Sequence, residues 1–249
     1  MSPNSAEQTR LARMLWPAIF WSTFAFGLFS NLLYRVLIPI QFEIFPDSAR
    51  MMWSFVYNTD HPARFAITGF VEVFVGWLCF WHFRRNGLEH AIFRLGRLDQ
   101  RAIGMTIAGA LFLPDLTYSL LAPLLEAIGI DTSTSYRDGE SGLIPRQQLL
   151  GFFLVGIIIA PVIEEYLYRG AFMTTALAAR WHPLLVLFAS SAGFTFIHMQ
   201  YNVMGLLFIF LMGCGFGWLR LWSGGLGLPM IAHAVINLKV FIISLAVGS

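Results

Sequence analysis

Five ionisable side chains lie within strongly apolar sequence in the second half of the chain. They are Glu164, Glu165, Arg169, His198 and His233. Placing ionisable groups in hydrocarbon is costly, and those found there commonly serve a function. A carboxylate base, an imidazole and polar groups that can hold an oxyanion are the components of hydrolysis by an activated water. This cluster therefore predicts an enzyme that works inside a lipid bilayer.

The spacing of the two carboxylates suggests a different role for each. Glu165 and Arg169 are four residues apart, so on a helix they are neighbours and can form an ion pair. Glu164 points about 100° away from Glu165 on the same helix. One carboxylate can therefore be neutralised by Arg169 while Glu164 faces another partner and acts as the base.

Two further pairs have the same four-residue spacing. Phe194 and His198 share one helix face, and His233 and Asn237 share another, so all four side chains can line a single cavity. Glu164 and His198 are equally distant from the turn between their helices. Straight antiparallel helices would thus place them at the same level. His233 lies near the start of its apolar stretch, and a long, tilted helix carrying Glu164 would bring it to the same depth.

The composition predicts an all-α fold, a polytopic transmembrane helical bundle of about seven spans. Hydrophobic residues make up 57% of the chain and charged residues 12%, against about 25% charged in ordinary soluble domains. We expect one membrane domain over 1–249, with the catalytic core at 148–247. At about 20 residues per span, the predicted spans are 15–40, 63–83, 103–125, one starting near 148, 183–199, 203–222 and 228–247.

Basic residues predict the orientation and exclude one class of partner. The connection between the second and third spans is rich in arginine, which places it and the N-terminus in the cytoplasm. No basic run is dense enough to follow a nucleic-acid backbone, so no nucleic acid is expected. Cys79 and Cys214 lie in apolar stretches and are interpreted as packing residues. The glycine-rich run 212–217 indicates close helix packing.

Three motifs, in order, resemble the CAAX prenyl protease and bacteriocin-processing (CPBP) family of glutamic intramembrane proteases, the type II CAAX endopeptidases. These motifs are a Glu-Glu pair with Arg four residues after the second Glu, then Phe-x-x-x-His, then His-x-x-x-Asn. In this chain they read EEYLYR, FTFIH and HAVIN, and they begin at Glu164, Phe194 and His233. The resemblance covers about residues 151–238, and the first three predicted spans carry no such signature.

The resemblance implies specific roles. Glu164 and His198 would activate a water that attacks a peptide carbonyl, and His233 and Asn237 would stabilise the oxyanion. Glu165 and Arg169 would form a supporting ion pair beside Phe194. No cofactor and no metal are implied, and the partners would be a membrane-associated peptide or protein and the lipid bilayer.

Departures from the eukaryotic prenyl-protein proteases point to a bacterial-type member. Tyr201 and Ile236 stand where those relatives have a second His and a Cys. Removal of a prenylated tripeptide is thereby put in doubt, and a bacterial cytoplasmic membrane is the expected location. Neither the substrate nor the oligomeric state follows from the sequence.

Several alternatives stay open at this point. Two His and two Glu are able to ligate zinc in principle. A non-catalytic membrane adaptor or immunity protein would use the same cluster to bind a partner, and a transporter would use it to carry protons. Glu72 either faces the cavity or pairs with a basic group such as Arg64. Asp115, which follows Pro114, is expected to cap a broken helix.

Overall fold

The protein is an all-helical bundle in the computed structural model, which describes residues 5–32, 64–132 and 144–247. No strand occurs within these ranges, and the predicted all-α fold is confirmed. Helix α2 is continuous through Leu15–Ile19, Phe20–Phe24 and Ala25–Leu32. The helices are α1 (Ser5–Arg13), α2, α3 (Arg64–Arg85), α4 (Glu89–Ile92), α5 (Gln100–Glu126), α6 (Arg146–Ala178), α7 (Pro183–Phe196), α8 (Val203–Ser223) and α9 (Gly227–Val247).

Five of the described helices are long and apolar enough to cross a membrane: α3, α5, α6, α8 and α9. A sixth span results if α1 and α2, which meet at a bend of 50°, cross together. The predicted span 183–199 differs, because α7 has only 14 residues and ends at Phe196. The first predicted span, 15–40, is described only as far as residue 32, and its remainder lies outside the described residues.

Helix α6, which carries the glutamate pair, is the longest of the described helices. Its 33 residues extend roughly 50 Å at 1.5 Å per residue, well beyond a hydrocarbon core of about 30 Å. Two stretches, Phe153–Ile159 and Tyr166–Phe172, are wound as π-helix, a local widening that often accompanies functional sites. The second stretch begins directly after Glu165.

Helices α3 and α6 run parallel and approach closely at glycines. A Cβ atom added to Gly69 would lie 2.7 Å from Val155 Cγ2, and one added to Gly76 would lie 2.8 Å from Ile163 Cδ1. Residue numbers therefore rise together along the two helices. Small residues at such contacts allow tight packing without a hydrophobic driving force in lipid.

Asp115 lies inside α5 and does not cap a broken helix, so that expectation was wrong. The helix continues through Pro114 to Glu126. The Asp115 carboxylate instead pairs with Lys239 Nζ on α9, which also donates to Leu111 O at 3.0 Å. The charge of Asp115 is thus neutralised by a lysine on another helix, a contact that sequence spacing does not reveal.

The start of α9 is held by backbone contacts with the loop between α4 and α5. Leu226 N donates to Arg94 O at 2.6 Å, Gly227 N to Leu95 O at 2.9 Å, and Arg97 N to Ser223 O at 2.9 Å. Gly225 packs directly against the backbone of this loop. A Cβ atom at Gly225 would overlap the loop's backbone atoms, so a larger residue does not fit there. This junction sets the position of the helix that carries His233.

We expect Gly225→Ala to lower the free energy of unfolding by about 1–3 kcal/mol, because the added methyl group must displace backbone atoms. Gly215→Ala is the matched control, since a Cβ atom there meets nothing within 4 Å. The measurement is denaturant unfolding of both variants in mixed micelles. Equal stability of the two variants would contradict the tight junction.

Candidate active site

The Glu165–Arg169 ion pair lies at the centre of the site. Both side chains are 0% exposed, and Arg169 Nη1 donates to Glu165 Oε1 at 3.1 Å. Arg169 Nη2 donates to Gly213 O on α8 at 2.8 Å. The guanidinium carbon also lies 4.8 Å from the ring centroid of Phe194 and 5.4 Å from that of Phe216. The pair expected from the four-residue spacing is formed, and it joins α6 to α7 and α8.

His233 connects the two glutamates. Its Nδ1 lies 3.1 Å from Glu165 Oε1, and its Nε2 lies 3.8 Å from Glu164 Oε2. Because Glu165 Oε1 also accepts from Arg169, we assign Nδ1 of His233 as a donor. The imidazole ring stacks on Phe216 with centroids 5.0 Å apart, so its orientation is fixed from both sides.

Glu164 is buried but less constrained than Glu165. Glu164 is 9% exposed, and its Oε2 has no hydrogen-bond partner among the described residues. Its Oε2 lies 3.8 Å from Nε2 of His233. The Oε2 of Glu165 is likewise without a partner among the described residues, so the two glutamates differ in that Glu165 accepts from two donors through Oε1.

His198 lies just beyond the end of α7. Its Nδ1 is 2.8 Å from Phe194 O, and since a carbonyl only accepts, Nδ1 carries the proton. In the neutral ring Nε2 is then an acceptor, which is the form a base needs. The ring of Phe194 is 4.9 Å from that of His198 and 5.8 Å from that of His233. Phe194 therefore packs between the two imidazoles.

Asn237 lies one turn after His233 and is engaged with the backbone of α6. Its Nδ2 donates to Gly156 O at 2.6 Å. Gly156 belongs to the first π-helical stretch of α6. A carboxamide carries two N–H groups, so one remains for another acceptor.

A cavity of about 430 Å³ brings three of the four expected catalytic side chains together. His198, His233 and Asn237 line it, while Glu164 is not among the lining residues and lies behind His233. The remaining wall is mostly apolar and includes Tyr118, Tyr201, Met204, Phe208, Phe216 and Ile236. Such a lining suits an apolar peptide segment held by a few polar groups.

Some contributors to the site have no signature in the sequence. Phe216 supports both Arg169 and His233, and the carbonyl of Gly213 accepts from Arg169. Both lie in the glycine-rich run interpreted as close helix packing, and a Cβ atom added to Gly213 would lie 3.2 Å from Ser191 Cβ. Phe216 contributes the face of its ring and Gly213 its backbone oxygen, and the residue types alone do not predict either contact.

The acids and imidazoles of the described residues are not arranged as metal ligands. No group of three or more His, Cys, Asp or Glu side chains in the ranges 5–32, 64–132 and 144–247 is placed to hold a metal ion. Glu165 is instead neutralised by Arg169, and His198 Nδ1 is bonded to a carbonyl.

The resemblance inferred from the three motifs is confirmed by a family model. Residues 146–239 match the family described as Type II CAAX prenyl endopeptidase Rce1-like. No curated protein matches the chain, and no solved structure does. At family level the match supports a CAAX-type intramembrane protease, and the apolar helices make the chain an integral membrane protein.

We expect Arg169→Met to lower the free energy of unfolding by about 3–5 kcal/mol, because Glu165 is left buried without its cation. The double variant Glu165→Gln/Arg169→Met removes both charges and should recover part of that loss. Chemical denaturation of the wild type, both single variants and the double variant gives the coupling energy. Additive losses would show that the two side chains do not act as a pair.

Proposed function

We propose that the chain is a glutamic intramembrane endopeptidase that hydrolyses a peptide bond in or near the membrane-anchoring or C-terminal segment of its substrate. Glu164 and His198 activate the water, and His233 and Asn237 stabilise the oxyanion. Glu165, Arg169 and Phe194 hold these groups in place. The site uses no metal in this proposal.

The observation that carries the proposal is the unequal treatment of two adjacent buried glutamates. The Oε1 of Glu165 accepts from both Arg169 and His233, whereas Glu164 Oε2 lies 3.8 Å from Nε2 of His233, beyond hydrogen-bond distance. The Oε2 atoms of both glutamates lack a hydrogen-bond partner among the described residues, so the difference lies in the two donors on Glu165 Oε1. A carboxylate held by two donors is a poor base, since its charge is already stabilised. Glu164, which lies outside the Glu165–Arg169 pair, is suited to taking a proton from water.

In the proposed reaction, one proton moves from water to Glu164 and then to the leaving amine. Glu164, assisted by the acceptor Nε2 of His198, removes a proton from water as the oxygen attacks the scissile carbonyl. The tetrahedral oxyanion that forms then collapses, and the C–N bond breaks. The proton passes to the leaving amine, and the acid and amine products depart with Glu164 and His198 as they began.

Donors for the oxyanion are present beside the cavity. The Nδ1 of His233 is directed to Glu165, so in this proposal the ring donates to the oxyanion through Nε2 and carries a proton on each nitrogen at that step. Asn237 has one amide N–H beyond the one given to Gly156 O. Each such donor is typically worth a few kcal/mol of transition-state stabilisation.

The proposed substrate is a membrane-anchored peptide, since the cavity lies among spanning helices and is mostly apolar. The N-terminus and the arginine-rich connection between α3 and α5 would face the cytoplasm of a bacterial cell. Tyr201 lines the cavity where eukaryotic relatives have His, so a prenyl group on the substrate is not required in this proposal.

We expect Glu164→Gln to abolish cleavage while the protein stays folded, because the amide cannot accept the proton of water. The assay uses purified protein in lipid with a library of membrane-anchored peptides, and product formation is followed by mass spectrometry. Glu89→Gln is the matched control. Glu89 also has a buried oxygen without a hydrogen-bond partner in the part of the chain that the structure describes, but it lies on α4, outside the site.

Cleavage that survives Glu164→Gln and His198→Ala would sink this assignment. Cleavage lost on addition of a chelator would instead favour a metal enzyme. If every form fails to cleave any peptide but all still bind a common partner, the adaptor interpretation is favoured.

We expect Asn237→Ala to lower kcat by about 10²–10³-fold with a smaller change in KM, because the lost donor acts mainly on the oxyanion. Asn86→Ala is the control, since its Nδ2 donates to His82 O in an exposed turn away from the cavity. Steady-state kinetics on one cleaved peptide decides the outcome. A rise in KM without a fall in kcat would place Asn237 in substrate binding.

A further inference from the structure

Glu72 is a buried carboxylate that the three motifs do not include. It lies in the interior of α3, one of the membrane-spanning helices, and is 7% exposed. Its Oε2 has no hydrogen-bond partner among the described residues. A carboxylate in hydrocarbon without a partner is costly, so either a partner charge or a proton must accompany it.

The packing of α3 on α6 places Glu72 at the level of the proposed site. Glu72 lies between Gly69 and Gly76, which contact Val155 and Ile163. On α6 these two contacts bracket residues 156–162, which begin at Gly156, where Asn237 is bonded, and Glu164 directly follows Ile163. The charges of Glu72 and Glu164 are close enough to interact.

The other groups packed against α3 do not neutralise Glu72. Helix α2 has no ionisable side chain between residues 15 and 32. Glu89 and His90 on α4 lie past the opposite end of α3. Arg64, the partner considered from the sequence, has its side chain outside the described part of the structure.

The charges around Glu164 differ from those around Glu72. Glu164 lies 3.8 Å from His233, and the positive charge of Arg169, which pairs with Glu165, also attracts the Glu164 carboxylate. The carboxylate of Glu72 interacts with that of Glu164, and none of the ion pairs found among the described residues includes Glu72. Two interacting carboxylates in a low-dielectric site do not both ionise readily. A single negative charge shared by them is therefore more stable on Glu164, beside His233 and the guanidinium of Arg169.

We propose that Glu72 is a positioning residue for the hydrolysis, a neutral carboxylic acid that retains the proton of the Glu72–Glu164 pair and so leaves the negative charge on Glu164. This inference rests on the proposed function, in which Glu164 is the base. No bond to Glu72 forms or breaks during the reaction. When Glu72 loses its proton at high pH, a second negative charge beside Glu164 opposes formation of the oxyanion, and activity falls.

The test is the pH–rate profile of cleavage in lipid for the wild type, Glu72→Gln and Glu72→Asp. Gln imitates the neutral acid but cannot ionise. We expect near-normal kcat at neutral pH and an alkaline limb displaced upward by about one pH unit or more, equivalent to a tenfold change in a proton-binding constant. Glu72→Asp should keep an alkaline limb, and Glu89→Gln should give the wild-type profile.

Two outcomes overturn the inference without touching the proposed function. One is a Glu72→Gln profile that coincides with that of the wild type. The other is folded Glu72→Gln that is inactive at every pH, which would mean that the ionised form of Glu72 is needed. Activity retained by Glu164→Gln would instead overturn the proposed function itself.

Infrared spectroscopy keeps the inference testable if Glu72→Gln does not fold. The wild type at neutral pH should show the C=O band of a protonated carboxylic acid inaccessible to solvent, and Glu72→Asp should shift it. Absence of the band in the wild type would overturn the inference.

Discussion

The buried ion pair of Glu165 and Arg169 is the interaction on which the site depends. Neither side chain has access to solvent, so each charge is tolerable only because the other is in contact with it. The guanidinium then extends to the backbone of α8 and the rings of Phe194 and Phe216. Three helices are thereby held around one cation, and the pocket is built on them.

The same pair creates the difference between the two glutamates. By binding Arg169 and His233, Glu165 orients the imidazole so that its other nitrogen points towards Glu164. Glu164, one residue away but on another face of the helix, lies 3.8 Å from the imidazole and is not part of the ion pair. Local geometry rather than residue type separates a structural carboxylate from a candidate base.

The sequence predicted features that depend on neighbours along one helix. The contact of Glu165 with Arg169 follows from helical spacing, and the long apolar stretches predict the spanning helices. Contacts between helices were not accessible in this way. The bonds of Asn237 to Gly156 O and of Lys239 to Asp115, and the position of Glu72, depend on how helices distant in sequence pack. Spacing alone also did not show that α7 ends at Phe196.

The shortness of α7 has a consequence for the supply of water. Fourteen residues reach roughly 21 Å, less than the hydrocarbon thickness of about 30 Å. If Pro183 lies at one interface, the non-helical turn that carries His198 and Tyr201 lies inside the bilayer. Irregular backbone is tolerated at that depth only where protein encloses it or where it borders a hydrated space, and both residues border the cavity. In that placement, the shortness of α7 would bring water, the reactant of hydrolysis, to a depth from which lipid otherwise excludes it.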